Sequence, residues 1–226
     1  MSIIYPWTAK KALTKTKDDR FVYDWVIERL IDGNFDSYWL KDGHTPEPRV
    51  LEVTDKILTQ LTVRGSRSWV LLISQDVPLL QSLADVLPMT YAFTERTSAR
   101  KVTTDSLLEL FRARRPGDMF DPDSVEKYIR SVRRTGMLYW SAVDEPCFGS
   151  DKRTSNFHEL LSFRVTHKLA TIFTSSDADG NLGACKKRIT SSVRSILGTS
   201  AGTMIDNYCA VVRLKLKPQQ ALSMEF

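Results

Sequence analysis

The chain has 226 residues, of which 42% are hydrophobic and 26% are charged. This composition is typical of an ordinary globular protein and excludes a disordered or fibrous one. The length suits one large α/β domain, alone or with a small extension. No apolar run approaches the roughly 20 residues that cross a bilayer, and the first twenty residues lack the pattern of a signal peptide. We therefore expect a cytoplasmic protein that makes no membrane contact.

The cysteines and the net charge place few further limits on the function. Cys147, Cys185 and Cys209 are odd in number and far apart, and no Cys or His pair has the spacing of zinc ligands. Reduced thiols, no metal site and no cofactor are the expectation. The formal net charge of +5 is a mild excess, which permits contact with nucleic acid without requiring it.

The N-terminal part is predicted to be helical and to end in a turn-rich linker. Apolar residues recur at helical spacing in DDRFVYDWVIERL (18–30), with Asp18 or Asp19 as the N-cap and Gly33 as the stop. The segment KDGHTPEPR (41–49) contains two prolines, which disfavour helix. This linker predicts a helical extension over residues 1–49 and a larger domain over residues 50–226.

Helices and strands alternate through the larger domain. The predicted helices are 49–61, 76–87, 103–117 (capped within Thr103 to Asp105), 121–136, 155–168 (capped by Ser155 or Asn156) and 183–198. The predicted strands are SWVLLIS (68–74), a weaker MTYAFTE (89–95), a strand that starts at MLYW (137–140), LATIFTSS (169–176) and CAVVRLKL (209–216). The alternation predicts an α/β fold of three αβα layers with a mainly parallel sheet.

The order of these elements resembles the AAA+ ATPases. MLYWSAVDEP (137–146) resembles the Walker B strand of that family, and LATIFTSS (169–176), preceded by Phe163-Arg164, resembles its sensor 1 segment. The closest likeness is to bacterial replicative-helicase loaders of the DnaC/DnaI type and to helper ATPases of insertion sequences. The family's segment ends in asparagine, where this chain has Ser176.

The resemblance extends in both directions and covers residues 50–217. SARKVTTDSLLELFRA (98–113) resembles the strand and helix that precede Walker B. KKRITSSVRSIL (186–197) resembles the later helix that carries the arginine finger, so Arg188 and Arg194 are arginine-finger-like by position. An exposed helix face is the alternative interpretation of these two arginines. The resemblance implies a P-loop core with little or no lid domain.

The phosphate-binding loop of the family has no counterpart here. In the family the first strand leads into G-x-x-x-x-G-K-[ST], whose backbone N–H groups surround the phosphates and whose lysine reaches the β and γ oxygens. Here the strand leads into QDVPLLQSLADVL (75–87), which has no glycine or lysine, and no Gly-Lys pair occurs in the chain. Asp76 places negative charge at a helix N-terminus that would favour an anion. We therefore expect a pseudo-ATPase.

Two alignments of the Walker B acids stay open. In the first, the acidic positions fall on Ser141 and Ala142, and the motif is lost. In the second, the strand runs further and Asp144 and Glu145 occupy those positions as a Walker B remnant. Neither alignment predicts hydrolysis without a phosphate loop, and two carboxylates alone would bind magnesium weakly.

Basic residues are the candidate nucleic-acid contacts, because Lys and Arg neutralise phosphates. They are Arg112, Arg114, Arg115, Arg130, Arg133, Arg134, Lys152 and Arg153. Solvated helix ends are the alternative interpretation, since cations are favoured near a helix C-terminus. Neighbouring acids dilute the patch, and no aromatic residue is interleaved at the spacing of a base-stacking platform.

Trp7, Trp25 and Trp39 lie in an aromatic-rich N-terminal stretch. Aromatic residues are enriched at the anchor points of protein interfaces, and the resemblance implies that an N-terminal extension grips the helicase. These tryptophans are therefore candidate partner-binding residues. Covering one edge of the sheet is the alternative role.

The resemblance implies a catalytically inactive AAA+-like accessory protein of DNA replication or of a mobile genetic element. Its partner would be a replicative helicase or an active AAA+ protein, with single-stranded DNA as a further ligand and an oligomer as a further state. Two alternatives from other classes stay open. One is a metal-dependent nuclease or phosphotransfer enzyme that uses Asp144, Glu145 and Asp151, and the other is a structural subunit of a larger assembly.

Overall fold

The computed structural model describes residues 3–41, 44–62, 69–113, 121–141, 143, 154–176 and 197–214. Its helices are α1 (Pro6–Leu13), α2 (Lys17–Ile31), α3 (Pro48–Thr62), α4 (Val77–Glu95), α5 (Thr104–Ala113), α6 (Pro122–Arg134), α7 (Thr154–Thr166) and α8 (Thr199–Tyr208), with a 3-10 turn at Ser37–Leu40. Its strands are β1 (Trp69–Ser74), β2 (Ala99–Thr103), β3 (Met137–Ser141), β4 (Ala170–Ser176) and β5 (Cys209–Leu214). Within these ranges no helix has the length and apolar character that a membrane span needs.

The described strands form one parallel sheet in the order β2-β3-β4-β1-β5. The chain leaves the inner strand β1 for the edge strand β2, then returns through β3 and β4 to β5 at the other edge. Right-handed crossovers require that this single reversal places helices on both faces of the sheet. Helices α1 to α4 pack on one face and α5 to α8 on the other. The predicted three-layer αβα architecture is confirmed.

Strand β1 is buried on both faces, as its continuous apolar run predicts. Val70 and Leu72 belong to the core under α1 to α4, whereas Leu71 and Ile73 belong to the core under α5 to α8. All six residues of the strand are buried.

The predicted strand over residues 89–95 is wrong, because α4 continues through this segment to Glu95. Strand β2 lies further along, in the segment that the family resemblance assigns to it. Helix α4 contacts the sheet on one side and α1, α2 and α3 on the others. Met89, Ala92 and Phe93 are therefore all buried, and the helix lacks the polar stripe from which an amphipathic helix is recognised.

Other differences concern helix ends. Thr16, not Asp18 or Asp19, caps α2, since its hydroxyl accepts a hydrogen bond from Asp19 N at 3.1 Å. Helix α7 begins at Thr154, so both residues proposed as its cap lie inside its first turn. Helices α1 and α8 are short, and the sequence patterns did not predict them. The expected cap of α5 is confirmed, because Thr103 and Ser106 exchange hydrogen bonds between their side chains and backbone N–H groups.

The N-terminal helices share the core of the sheet. Ala9 and Leu13 of α1 and Val26 and Leu30 of α2 are buried in the same cluster as the strands. The turn after α2 also reaches the sheet edge, where Lys101 N of β2 donates to Gly33 O at 3.0 Å. The division of the chain at residue 49 stays a prediction.

Thr54 provides a test of the packing beneath α3. It is fully buried, and its hydroxyl makes no hydrogen bond within the part of the chain that the structure describes. Valine has the same shape without the polar atom, so Thr54→Val should raise the free energy of unfolding by about 1 kcal/mol in urea denaturation. Thr90→Val is the matched control, because Thr90 Oγ1 donates to Val86 O at 2.6 Å and its loss should lower stability. Equal effects of the two changes would contradict this account.

Candidate functional site

The reversal of the chain places a topological switch point at the carboxyl ends of β1 and β4. From β1 the chain turns toward one edge of the sheet, and from β4 toward the other. Ligands of open α/β sheets bind at such switch points. Ser74 and Ser176 are partners in the register of the two strands, so the turn after β1 and the end of β4 face the same edge.

The turn between β1 and α4 consists of Gln75 and Asp76 alone. The carboxylate of Asp76 caps α4, with Oδ1 accepting from Leu79 N at 3.1 Å. Asp76 N donates to Ser74 Oγ at 3.0 Å, and Val77 N donates to Gln75 O at 3.1 Å. Pro78 has no N–H group. The backbone donors at the start of α4 are thus satisfied within the turn itself.

Arg49 of α3 holds the same carboxylate. Its Nη1 lies 2.6 Å from Asp76 Oδ2, and the two side chains are 17% and 21% exposed. The pair joins α3 to α4 across 27 positions of sequence. It fixes a negative group at the helix N-terminus, where an incoming anion would otherwise be stabilised.

The end of β3 leaves the Walker B alignments open. The strand ends at Ser141, but Val143 N donates to Thr174 O at 2.9 Å, so the chain still runs beside β4 there. Asp144, Glu145 and Asp151 lie outside the described residues. Among the residues that are described, no three His, Cys, Asp or Glu side chains are grouped to hold a metal ion.

Part of the basic candidate set comes together in three dimensions. Arg130, Arg133 and Arg134 line a groove of about 270 Å³ between α6 and α7. Arg112 is exposed near the end of α5 and does not line this groove. The remaining candidates, Arg114, Arg115, Lys152 and Arg153, and the arginine-finger-like Arg188 and Arg194 lie outside the described ranges.

The three tryptophans are half-buried against the core of the N-terminal face. Trp7 stacks on Tyr5 at 5.0 Å between ring centroids, and Trp39 meets Tyr38 edge-on at 5.3 Å. The guanidinium of Arg29 lies 5.7 Å from the ring centre of Trp25. Each ring therefore has an intramolecular neighbour, and its use by a partner stays a prediction.

Arg164 is the residue whose importance the sequence patterns missed. Its side chain is fully buried, and the guanidinium donates five hydrogen bonds. Four go to backbone carbonyls, three of them at the end of α6, and one goes to Thr171 Oγ1. Burial lowers the pKa of Arg164, because the charged form is removed from water. The only sequence signal was its place after an aromatic residue in the family-like helix.

The architecture matches solved structures of replication proteins. The structure of the DnaC helicase loader aligns over 83% of this chain and 99% of its own, with a TM-score of 0.53 at 15% sequence identity. The chain has an AAA+-like fold. A replication initiator DnaA bound to AMPPCP and single-stranded DNA aligns with a TM-score of 0.50 at 10% identity, over 76% of this chain and 48% of its own.

A DNA replication initiation factor matches the AAA+-like domain with a TM-score of 0.50 at 12% identity, over 81% of this chain and 51% of its own. No family model and no curated protein sequence matches the chain. Identities this low establish the fold alone. The site of the AAA+-like domain must therefore be judged from its own residues.

Removing the Asp76 carboxylate should destabilise the domain. Asp76→Ala deletes both the cap of α4 and the ion pair with Arg49, so the free energy of unfolding should fall by about 2 kcal/mol. Urea denaturation followed by circular dichroism measures the change. Asp121→Ala is the matched control, since Asp121 caps α6 from an exposed position and should cost less. A double-mutant cycle with Arg49→Met measures the coupling energy between the two side chains. A coupling energy of zero would mean that the Arg49–Asp76 pair contributes nothing to stability.

Proposed function

We propose that this AAA+-like domain is an accessory protein of DNA replication that acts through protein–protein contacts and does not use ATP. The observation that carries the proposal is the position of the Asp76 carboxylate at the N-terminus of α4, held by Leu79 N and Arg49. This position corresponds to the one where the phosphate loop of an AAA+ protein would present its donors.

Three properties of the turn after β1 disfavour a nucleotide. A phosphate there would meet a carboxylate in a partly buried setting, where like charges repel more strongly than in water. The backbone N–H groups that would bind it already have acceptors, and the turn has no lysine to reach the β and γ oxygens. The nearby cation, Arg49, is engaged by Asp76.

The fold supports the replication part of the proposal. The DnaC helicase loader matches almost its whole length to this chain. We assign the chain a role in recruiting or regulating a replicative helicase or an active AAA+ partner, in a host or a mobile element. Single-stranded DNA and self-association are further parts of the proposal.

Isothermal titration with ATP and with ADP, each with magnesium, tests the nucleotide part. We expect no binding up to millimolar nucleotide. The variant Asp76→Ala should also show no nucleotide binding, because removing the carboxylate restores neither the phosphate loop nor its lysine. A micromolar dissociation constant of ATP or ADP for the wild-type chain would contradict the pseudo-ATPase proposal.

Co-elution with the replicative helicase of the source cell tests the partner part. Size-exclusion chromatography with light scattering of the chain alone and of the mixture should give a complex larger than either component. The variant Trp7→Ala/Trp25→Ala should weaken the complex if the N-terminal face grips the partner. Separate elution at micromolar concentrations would contradict the recruiting role.

A further inference from the structure

The groove between α6 and α7 has an apolar floor and a basic rim. Phe111 and Leu160 are buried at its base, and Phe163 is half-buried beside them. Arg130 and Arg134 are exposed and lie one helical turn apart on the wall formed by α6. Within the described ranges neither of these arginines forms an ion pair.

Arg133 belongs to the fixed wall of the groove. Its Nη1 lies 2.7 Å from Glu159 Oε1, and its guanidinium covers the ring of Phe163 at 4.3 Å. Its Nε is buried and has no acceptor in the described part of the chain. The groove therefore contains one neutralised arginine that shapes the site and two arginines that face solvent.

We propose that this groove binds a segment of a partner protein in which one large apolar side chain is flanked by acidic residues. The apolar side chain would pack on Phe111, Ile129 and Leu160, which line the groove, and a buried anchor of this kind dominates the affinity of many interfaces. The flanking carboxylates would meet Arg130 and Arg134, whose planar guanidinium groups pair well with carboxylates. The inference deepens the proposed function, on which it rests for the existence of a partner.

Charge complementarity favours a peptide over a nucleic acid here. Glu126 and Glu159 line the same groove as the three arginines, so the formal charge of its lining is only +1, from three cations and two anions. A nucleic acid carries a negative charge at every nucleotide and would bring phosphates toward both glutamates. A peptide can place acidic residues at Arg130 and Arg134 and a neutral residue beside Glu126 and Glu159.

The groove also lies on the face opposite to the N-terminal aromatic residues. Helices α6 and α7 pack on one side of the sheet, and α1 to α4 pack on the other. A peptide in the groove would not compete with a partner held through Trp7, Trp25 or Trp39. The two faces would contact different elements of one assembly.

Selection from a random twelve-residue peptide library on phage tests the proposal. The full chain is the target, and the variant Arg130→Glu/Arg134→Glu is the counter-target, with its folding checked by a thermal melt. We expect enriched peptides to carry Leu, Phe or Trp with at least two acidic residues nearby. A labelled copy should bind the wild type in fluorescence anisotropy and lose roughly tenfold in affinity for each reversed charge.

Matched variants sharpen the result. Lys10→Glu/Lys11→Glu makes the same change in net charge on α1, on the opposite face of the sheet, and should leave affinity within about twofold. Glu159→Gln removes an acid and frees Arg133, so the acidic peptide should bind several-fold more tightly. Enriched peptides without acidic residues, or equal affinity for wild type and Arg130→Glu/Arg134→Glu, would overturn the proposal.

A labelled twenty-nucleotide thymidine oligonucleotide supplies the nucleic-acid arm. We expect the oligonucleotide not to displace the peptide from the groove. Any binding of the oligonucleotide to the chain should be the same for the wild type and for Arg130→Glu/Arg134→Glu. Competition, with loss of oligonucleotide binding in that variant, would replace the peptide by nucleic acid as the occupant. The ATP titration separates the two proposals. Nucleotide binding would contradict the proposed function, whether or not the groove binds the peptide.

Discussion

Replacing Arg164 with methionine is expected to lower the free energy of unfolding by about 3–5 kcal/mol. Methionine has a comparable length and fills much of the same space, but it donates no hydrogen bond. The change leaves four backbone carbonyls and the Thr171 hydroxyl without the donor that each has in the folded chain. Three of these carbonyls belong to Val132, Arg133 and Thr135, where α6 ends and its carbonyls have no partner within the helix.

One opposing effect limits this loss. The guanidinium is buried, and its acceptors are all neutral, so methionine also relieves the cost of burying a charge. We expect the unsatisfied carbonyls to outweigh this gain, because each buried orphan costs about 1–3 kcal/mol.

Urea denaturation followed by circular dichroism measures the effect. Arg134→Met is the control, because Arg134 lies exposed on α6, the helix whose terminal carbonyls Arg164 binds, and the change should alter stability by less than about 0.5 kcal/mol. Arg164→Lys keeps the positive charge but lacks the planar guanidinium group. Its free energy of unfolding should lie between those of Arg164→Met and Arg134→Met. An Arg164→Met variant as stable as the wild type would mean that the desolvation cost equals the value of all five bonds.

Gly33→Ala is expected to lower the free energy of unfolding by about 3 kcal/mol. A Cβ atom at Gly33 would lie 2.3 Å from Ala99 O, which is backbone of β2 and cannot rotate away. The Gly33 carbonyl also accepts the hydrogen bond from Lys101 N that seats the turn on the sheet edge. If the turn moved away from β2 to relieve the clash with Ala99 O, the hydrogen bond between Lys101 N and Gly33 O would weaken.

Asn34→Gly is the matched control for this turn. Asn34 has a φ of 64°, a conformation that glycine adopts freely, so its replacement should change little. Unfolding is followed by tryptophan fluorescence and by circular dichroism, and the two curves should coincide because α1 and α2 share the core of the sheet. An unchanged Gly33→Ala variant would contradict the contact between this turn and β2.

The sequence by itself determined the class of the fold and the residue types that the turn after β1 lacks. The continuous apolar run of β1 predicts a strand covered on both faces, and the structure confirms it. The absence of a Gly-Lys loop after β1 is a property of composition and requires no coordinates. Local capping by Thr103 could also be predicted, because its partner lies three residues away.

Only the tertiary structure decided which distant residues meet. The length of α4 was hidden because burial on several sides removes the periodic polar stripe that marks a helix. The Arg49–Asp76 pair spans 27 positions of sequence and Arg164 reaches carbonyls up to 32 positions away, and no local pattern encodes such contacts. The groove of α6 and α7 likewise exists because the sheet sets two helices side by side. Periodicity and spacing report on neighbours along the chain, whereas burial and pairing depend on neighbours in space.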